Sequence, residues 1–207
     1  MSDFTDFFPT AGATSGGGGA SGILKQHRIT TSGTLDLTTL GIADGDTIGL
    51  LVVGSGSGGT DSTSEEEGGC GGGVWRGSVT IGTAGTVSAT IPAGGATLGA
   101  NGSAAILSGG GLPFTINTGY ANINNSLRGS PTAGILFNGI GAYNHNGDDW
   151  AFSAGAGIDG YGCGGTTNAM TKVDSINNPG LQNTGRGGNG YQYSPAGFSG
   201  VIIIFYS

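Results

Sequence analysis

The chain has 207 residues, 48 of them glycine, with 36% hydrophobic and only 9% charged residues and a net charge of −7. Glycine at this level, against about 7% in ordinary chains, excludes long helices, because each interior glycine costs about 1 kcal/mol relative to alanine. The compact apolar runs exclude disorder over most of the chain, the missing Gly-X-Y period excludes collagen, and 6 Lys and Arg against 13 Asp and Glu exclude the basic footprint that nucleic acid requires.

In chain order, residues 1–22 come first as a short aromatic peptide, Phe4, Phe7, Phe8 and Pro9, followed by GATSGGGGASG (12–22), which has the composition of a flexible linker. Two readings stay open for the aromatic peptide: a docking tag on a tether, or a first strand packed back on its own domain. The acidic start MSDFTDFFPT lacks a basic n-region, so it does not read as a secretory signal. No apolar run approaches the roughly 18 residues that a membrane-spanning helix needs.

From residue 23 to 207 the pattern is that of strands. In HRITTSGTLDLTTLGI (27–42) the alternation Thr34, Leu35, Asp36, Leu37 predicts a half-buried strand. A turn at Ala43-Asp44-Gly45-Asp46 leads to TIGLLVVG (47–54), a continuous apolar strand. RGSVTIG (76–82) and GTVSATIPAGG (85–95) alternate again, GSAAILSGGG (102–111) reads as a short strand, and GVIIIFYS (200–207) as a buried strand closing the sheet.

Glycine tracts lie between these strands, at 54–59, 68–73, 108–111, 155–165 and 185–190. Lacking a Cβ, such tracts can lie side by side as polyproline-II-like helices joined through their backbones, but ordering them costs much entropy, so they need clamping. Their interleaving with Trp75, Tyr161, Tyr191 and Tyr193 favours packed helices over mobile loops. The fold class expected is therefore all-β: a glycine-rich β-sandwich with packed polyproline-II-like glycine helices.

Motifs of catalysis are formal only. Gly54, Gly56 and Gly59 satisfy G-x-G-x-x-G, but the helix that would hold a pyrophosphate is replaced by TDSTSEEEGGCGGG. Gly68-x-Cys70-x-Gly72 mimics a nucleophile elbow without a strand-to-helix turn. Cys70 reads instead as a buried thiol or as a disulfide partner of Cys163, two positions too few to make a disulfide framework. His27 and His145 have no ligand spacing, Asp148 and Asp149 would point to opposite faces of a strand, and Asp61 with Glu65, Glu66 and Glu67 reads as a solvated acidic loop. No metal, cofactor or enzymatic activity is expected.

The stretch GAYNHNGDDWAFSAG (141–155) sets Tyr143, His145 and Trp150 among Asn and Asp, as carbohydrate- or protein-recognition surfaces do, and GYQYSP (190–195) adds Tyr191 and Tyr193. An equal reading sends Trp150 and Phe152 into the core.

The order of these segments resembles the glycine-rich domain of bacteriophage tail-fibre and adhesin proteins. The resemblance rests on ITTSGTLDL (29–37), on IGLLVVGSGSGG (48–59), where an apolar strand runs into glycines, on VTIGTAGTVSATIPAGG (79–95) with ATLGANGSAAILSGGG (96–111), and on the closing FSGVIIIFYS (198–207). DFFPTAG also resembles the start of short virion proteins of marine podophages. The acidic insert TDSTSEEE (60–67) and the less glycine-dense section 112–184 depart from the pattern.

The resemblance implies a fibre, appendage or adhesin on the virion. It would be anchored to other virion proteins through Phe4, Phe7, Phe8 and Pro9, assembled as a homotrimer, and directed at a glycan or protein of the host surface. The competing expectations are a purely structural capsid or tail decoration protein, and an extracellular glycan- or ice-binding module. A depolymerase is the enzyme alternative, disfavoured by the missing carboxylate pair.

Overall fold

A computed structural model of the chain describes residues 24–59, 69–96, 100–118, 135–137, 183–188 and 196–207. Among these residues the strands are β1 (Lys25–Ile29), β2 (Gly33–Asp36), β3 (Thr47–Val53), β4 (Val74–Thr80), β5 (Thr86–Thr90), β6 (Ile106–Gly109), β7 (Ile116–Asn117), β8 (Ile135–Phe137) and β9 (Val201–Tyr206). They form two antiparallel sheets, one ordered β1-β9-β3-β4-β8 and the other β2-β5-β6-β7. The fold is all-β.

The alternation of each strand decides what the two sheets share. Ile48, Leu50 and Val52 of β3, Trp75 and Val79 of β4, and Ile202 and Ile204 of β9 point to one face of the first sheet. There they meet Val87 and Ala89 of β5 with Leu107 and Ile116 of the second sheet in one buried cluster. The opposite face of the first sheet carries a second buried cluster: Leu51, Val53, Val74, Val201 and Ile203. Apolar faces on both sides explain why β3 and β9 read as unbroken apolar runs, whereas β5 (burial alternating along TVSAT) buries one face only.

The last strand does not close an edge. β9 lies between β1 and β3, pairing Ile204 with both His27 and Leu50. Its two-sided burial is what an interior position demands.

Two of the connections have visible sequence causes. After β2 the chain enters a short 3-10 turn, Leu37–Leu40, because Asp36 accepts hydrogen bonds from the Thr38 amide (3.0 Å) and hydroxyl (2.8 Å), and Gly41 ends the turn at φ +84°. In the turn at 43–46, Gly45 takes φ +83° while the Asp46 carboxylate accepts from the Ala43 amide at 2.8 Å.

Two expected strands are shorter than their sequence runs. β5 stops at Thr90 and β6 starts only at Ile106, since residues 92–96 and 100–103 join the glycine tracts instead. The tract at 108–111 is corrected too. Gly109, the last residue of β6, and the Gly110 and Gly111 that follow it all have positive φ and make a turn, a role glycine fills because side chains are strained there.

Candidate functional site

Three tracts continue directly from strands of the first sheet: 54–58 after β3, 69–73 before β4 and 196–200 before β9. Two more, 92–96 and 100–103, flank β5 and β6 of the second sheet, and 184–188 is the sixth. They lie beyond one end of the sandwich and bond mainly through their backbones, with the hydroxyls of Ser55, Ser57 and Ser199 taking part.

The tract 54–58 is the axis of this bundle. Its successive amides donate to Gly73 (2.8 Å), Ser103 (3.0 Å), Phe198 (3.1 Å), Cys70 (2.9 Å) and Ala100 (2.9 Å). The partners rotate through three neighbouring tracts and return every third residue, which is the period of an extended polyproline-II-like helix. Carbonyls of the same tract accept from outside: Gly56 from the Gly95 amide (2.8 Å) and Ser57 from the Gly188 amide (2.9 Å). Five tracts therefore surround the central one through hydrogen bonds or direct backbone contact, with Gly185 seated against the Gly54 carbonyl.

Glycine is required by this spacing. A Cβ on Gly56 would fall onto the Arg186 carbonyl, one on Gly72 onto the Gly54 carbonyl, and one on Gly197 onto the Gly56 carbonyl. What occupies that space is a Cα–H pointing at a carbonyl oxygen, the geometry of a weak hydrogen bond.

Serine is the next smallest residue the bundle accepts, and its hydroxyl imitates a peptide. Ser57 Oγ accepts from the Cys70 amide at 2.7 Å and Ser55 Oγ accepts from the Ser103 amide at 2.8 Å, both serines fully buried. Replacing Ser57 by alanine removes the hydroxyl that accepts from the buried Cys70 amide, so stability is expected to fall by about 1–3 kcal/mol in a denaturant titration. Ser57→Gly is expected to fare no better, since it also removes the acceptor.

The bundle has a near end at the sheets, marked by Gly54, Gly73, Ser103 and Gly200, and a far end marked by Gly58, Gly69, Ala100 and Gly188. At the far end Gly58 donates to Ala100 and Gly69 donates to Gly188. The described chain leaves the bundle there after Gly59, Ala96 and Gly188, and re-enters at Gly69, Ala100 and Ala196. Three connections of the chain, 60–68, 97–99 and 189–195, thus begin and end on one small area.

The predicted site residues distribute as follows. Phe4, Phe7, Phe8 and Pro9, the recognition candidates Tyr143, His145, Trp150, Tyr191 and Tyr193, and Cys163 lie outside the described residues. Chain continuity nonetheless assigns Tyr191 and Tyr193 to the connection tethered at Gly188 and Ala196. Cys70 is buried within tract 69–73, between Gly69 and Gly72. Trp75, expected beside the glycines, instead packs in the sandwich core, with its ring edge-on to Phe114 at 6.2 Å. It faces the second sheet because of its position in β4. The aromatic residue of the bundle that is described is Phe198, fully buried, whose amide donates to Arg186 and whose carbonyl accepts from Gly56.

The G-x-G-x-x-G triplet also has a structural outcome. The amides of Gly54 and Gly56, which a nucleotide phosphate would need, are spent on Gly73 and Phe198. Among the described residues no three His, Cys, Asp or Glu side chains gather in a way that could hold a metal ion, and no helix is long and apolar enough to cross a membrane.

Sequence reasoning missed the tracts 92–96, 100–103 and 196–200 because PAGGA, ANGS and AGFSG are short and stand beside strands. No protein-family model matches the chain, and no curated protein matches it.

Proposed function

We propose that this chain is an appendage or adhesin of a bacteriophage virion, held to the particle by its N-terminal peptide and presenting the far end of the glycine bundle to a host surface, with the homotrimer as its assembly. The observation that carries this reading is the convergence of three connections on one end of a bundle stiffened by backbone hydrogen bonds. Such a base fixes the points at which the chain leaves and re-enters the bundle, as rigid scaffolds do for the recognition segments they carry. The connection 189–195 brings Tyr191 and Tyr193, rings that offer contact area at low entropic cost. The ordered resemblance of the segments within residues 23–207 to the glycine-rich domain of phage fibres supports the same reading.

The test is binding of the purified chain to host cells, with competition against infecting particles. Tyr191→Ala with Tyr193→Ala is expected to weaken cell binding by at least about tenfold, a loss of about 1.4 kcal/mol or more, with the melting temperature unchanged. Removal of residues 1–9 is expected to leave cell binding intact while abolishing incorporation into particles. Full incorporation with no cell binding would replace recognition by a purely structural role, and absence from every particle would remove the virion from the reading.

A further inference from the structure

The strand directions give the molecule two poles. β9 begins where tract 196–200 leaves the bundle and runs away from it, ending at Tyr206. β1 lies antiparallel beside it, with Lys25 opposite Tyr206 and Ile29 opposite Ile202, so β1 starts at the pole that the bundle does not occupy. Residues 1–23 join the described fold at that pole. The connection 189–195 joins it at the other, through Gly188 and Ala196. A chain held by its N-terminal peptide and by a host surface, as proposed above, is pulled between these two points.

That pull loads one pair of strands along its length. Host-side load reaches β9 at its N-terminal end, through tract 196–200, and particle-side load reaches β1 at its N-terminal end, through Leu24. In an antiparallel pair the two N-terminal ends lie at opposite ends of the ladder, whose hydrogen bonds run perpendicular to the strands. The strands are therefore drawn past each other. Slip strains all five residue pairs at once, from Lys25↔Tyr206 to Ile29↔Ile202. Side chains oppose the same slip. Ile29 and Tyr206 pack against the core cluster that holds Ile202 and Ile204, and the Lys25 ammonium stands 5.7 Å from the centre of the Tyr206 ring.

The parts that deliver load to this pair are held on more sides. β9 is bonded along its other edge to β3 through five further pairs. In tract 196–200, Gly197 donates to Gly95 (2.9 Å), Gly200 to Pro92 (3.0 Å) and Phe198 to Arg186 (2.8 Å), while the Phe198 carbonyl accepts from Gly56 (3.1 Å). Tract 54–58 is continuous with β3 and tract 92–96 follows β5, so load from a single connection spreads to both sheets. β1 stands at the end of its sheet, with β9 as its one partner among the described strands.

We infer that the fold is a load-bearing coupler, in which the β1–β9 pair is a shear clamp that holds the particle-side chain against force transmitted by the glycine bundle. The force comes from the attachment proposed above, on which this role rests, but the clamp itself follows from strand direction alone. The same ladder is weak in another direction. Leu24 and Ser207 both flank the Lys25↔Tyr206 pair, so pulling at those two residues opens the ladder one pair at a time.

Single-molecule force spectroscopy on the full-length chain tests this with one fold and two pulling directions. Leu24→azidophenylalanine, at a side chain 48% exposed, is combined with either Tyr191→azidophenylalanine or Ser207→azidophenylalanine to carry the handles. At equal pulling speed the force that releases β1 is expected to be at least about twofold higher between 24 and 191 than between 24 and 207, because five pairs yield together rather than in turn. Melting temperatures of the two handled proteins are expected to agree, which assigns the difference to direction. Equal forces in the two directions would overturn the clamp. So would a first step between 24 and 191 whose released length shows the bundle opening while β1 stays paired. Cell binding without a force difference removes the clamp and keeps the recognition reading. A force difference without cell binding keeps the clamp and removes the proposed source of its load.

Discussion

Replacing Gly56 by alanine is expected to destabilise the protein by about 3 kcal/mol, although it adds a single methyl group. Overpacking in a core of side chains typically costs about 1–3 kcal/mol, because rotamers and neighbouring side chains give way. Here the obstacle is backbone: the methyl group would fall onto the Arg186 carbonyl, with the Gly187 nitrogen 2.6 Å away. The Arg186 carbonyl also accepts from the Phe198 amide at 2.8 Å, and the Phe198 carbonyl accepts from Gly56 itself at 3.1 Å. Moving the tract 184–188 aside therefore breaks a closed ring of contacts among three tracts, each hydrogen bond contributing about 0.5–1.5 kcal/mol net. The expected fall in melting temperature is about 6–12 °C, from roughly 2–4 °C per kcal/mol for a chain of this size. Gly33→Ala supplies the internal comparison. With open space around it and ordinary backbone, it is expected to be neutral or to stabilise by up to about 1 kcal/mol, through a less flexible unfolded chain. If Gly56→Ala unfolds at the same denaturant concentration as the parent, the bundle is not close-packed and the argument for its rigidity fails.

Trp75→Ala carries the second large effect, about 3–5 kcal/mol. The indole is 1% exposed and sits in the cluster shared by both sheets, so its removal leaves a cavity that two hydrogen-bonded layers cannot collapse to fill. Its edge-on contact with Phe114, with ring planes at 66°, adds about 0.5–1.5 kcal/mol beyond area. Gly77 makes the test sharper. A Cβ there would lie 2.7 Å from the Trp75 ring, so Gly77→Ala is expected to destabilise the parent protein and to cost much less in the Trp75→Ala background. A double-mutant cycle measures that coupling. Additive effects would show that Gly77 is not kept small by the tryptophan.

Both effects come from features at different depths of legibility. The strands were readable: Thr34 to Asp36 alternates (the expected strand stops there, because Leu37 opens the 3-10 turn), β3 and β9 are unbroken apolar runs, and these patterns report one or two buried faces directly. The glycine tracts were readable as regions of close backbone approach, since only a missing Cβ makes that approach possible. The tracts at 54–58, 69–73 and 185–188 bear this out, whereas 108–111 does not, because a turn with positive φ asks for the same residue as a packed extended helix. Composition cannot separate the two demands. Similarly PAGGA (92–96) continues a strand in sequence but leaves it in space, as the hydrogen-bond partners of Gly95 are glycines of other tracts.

Residue type pointed to Tyr191 and Tyr193, which lie outside the described residues; what the bundle adds is that the residues flanking 189–195 and 60–68, namely Gly188, Ala196, Gly59 and Gly69, stand at one end.

What the sequence by itself determined is the class: an all-β chain whose strands alternate or run apolar according to burial, and whose tracts are kept free of side chains. These are local properties, set by the two-residue period of a strand and by the steric size of each residue. Only the tertiary structure decided that β9 lies between β1 and β3, that serines 55 and 57 belong to the hydrogen-bond lattice, and which end of the bundle gathers the connections. Each of those depends on which backbone groups pair across long separations. Every peptide carries the same donor and acceptor, so the sequence gives no label that names the partner.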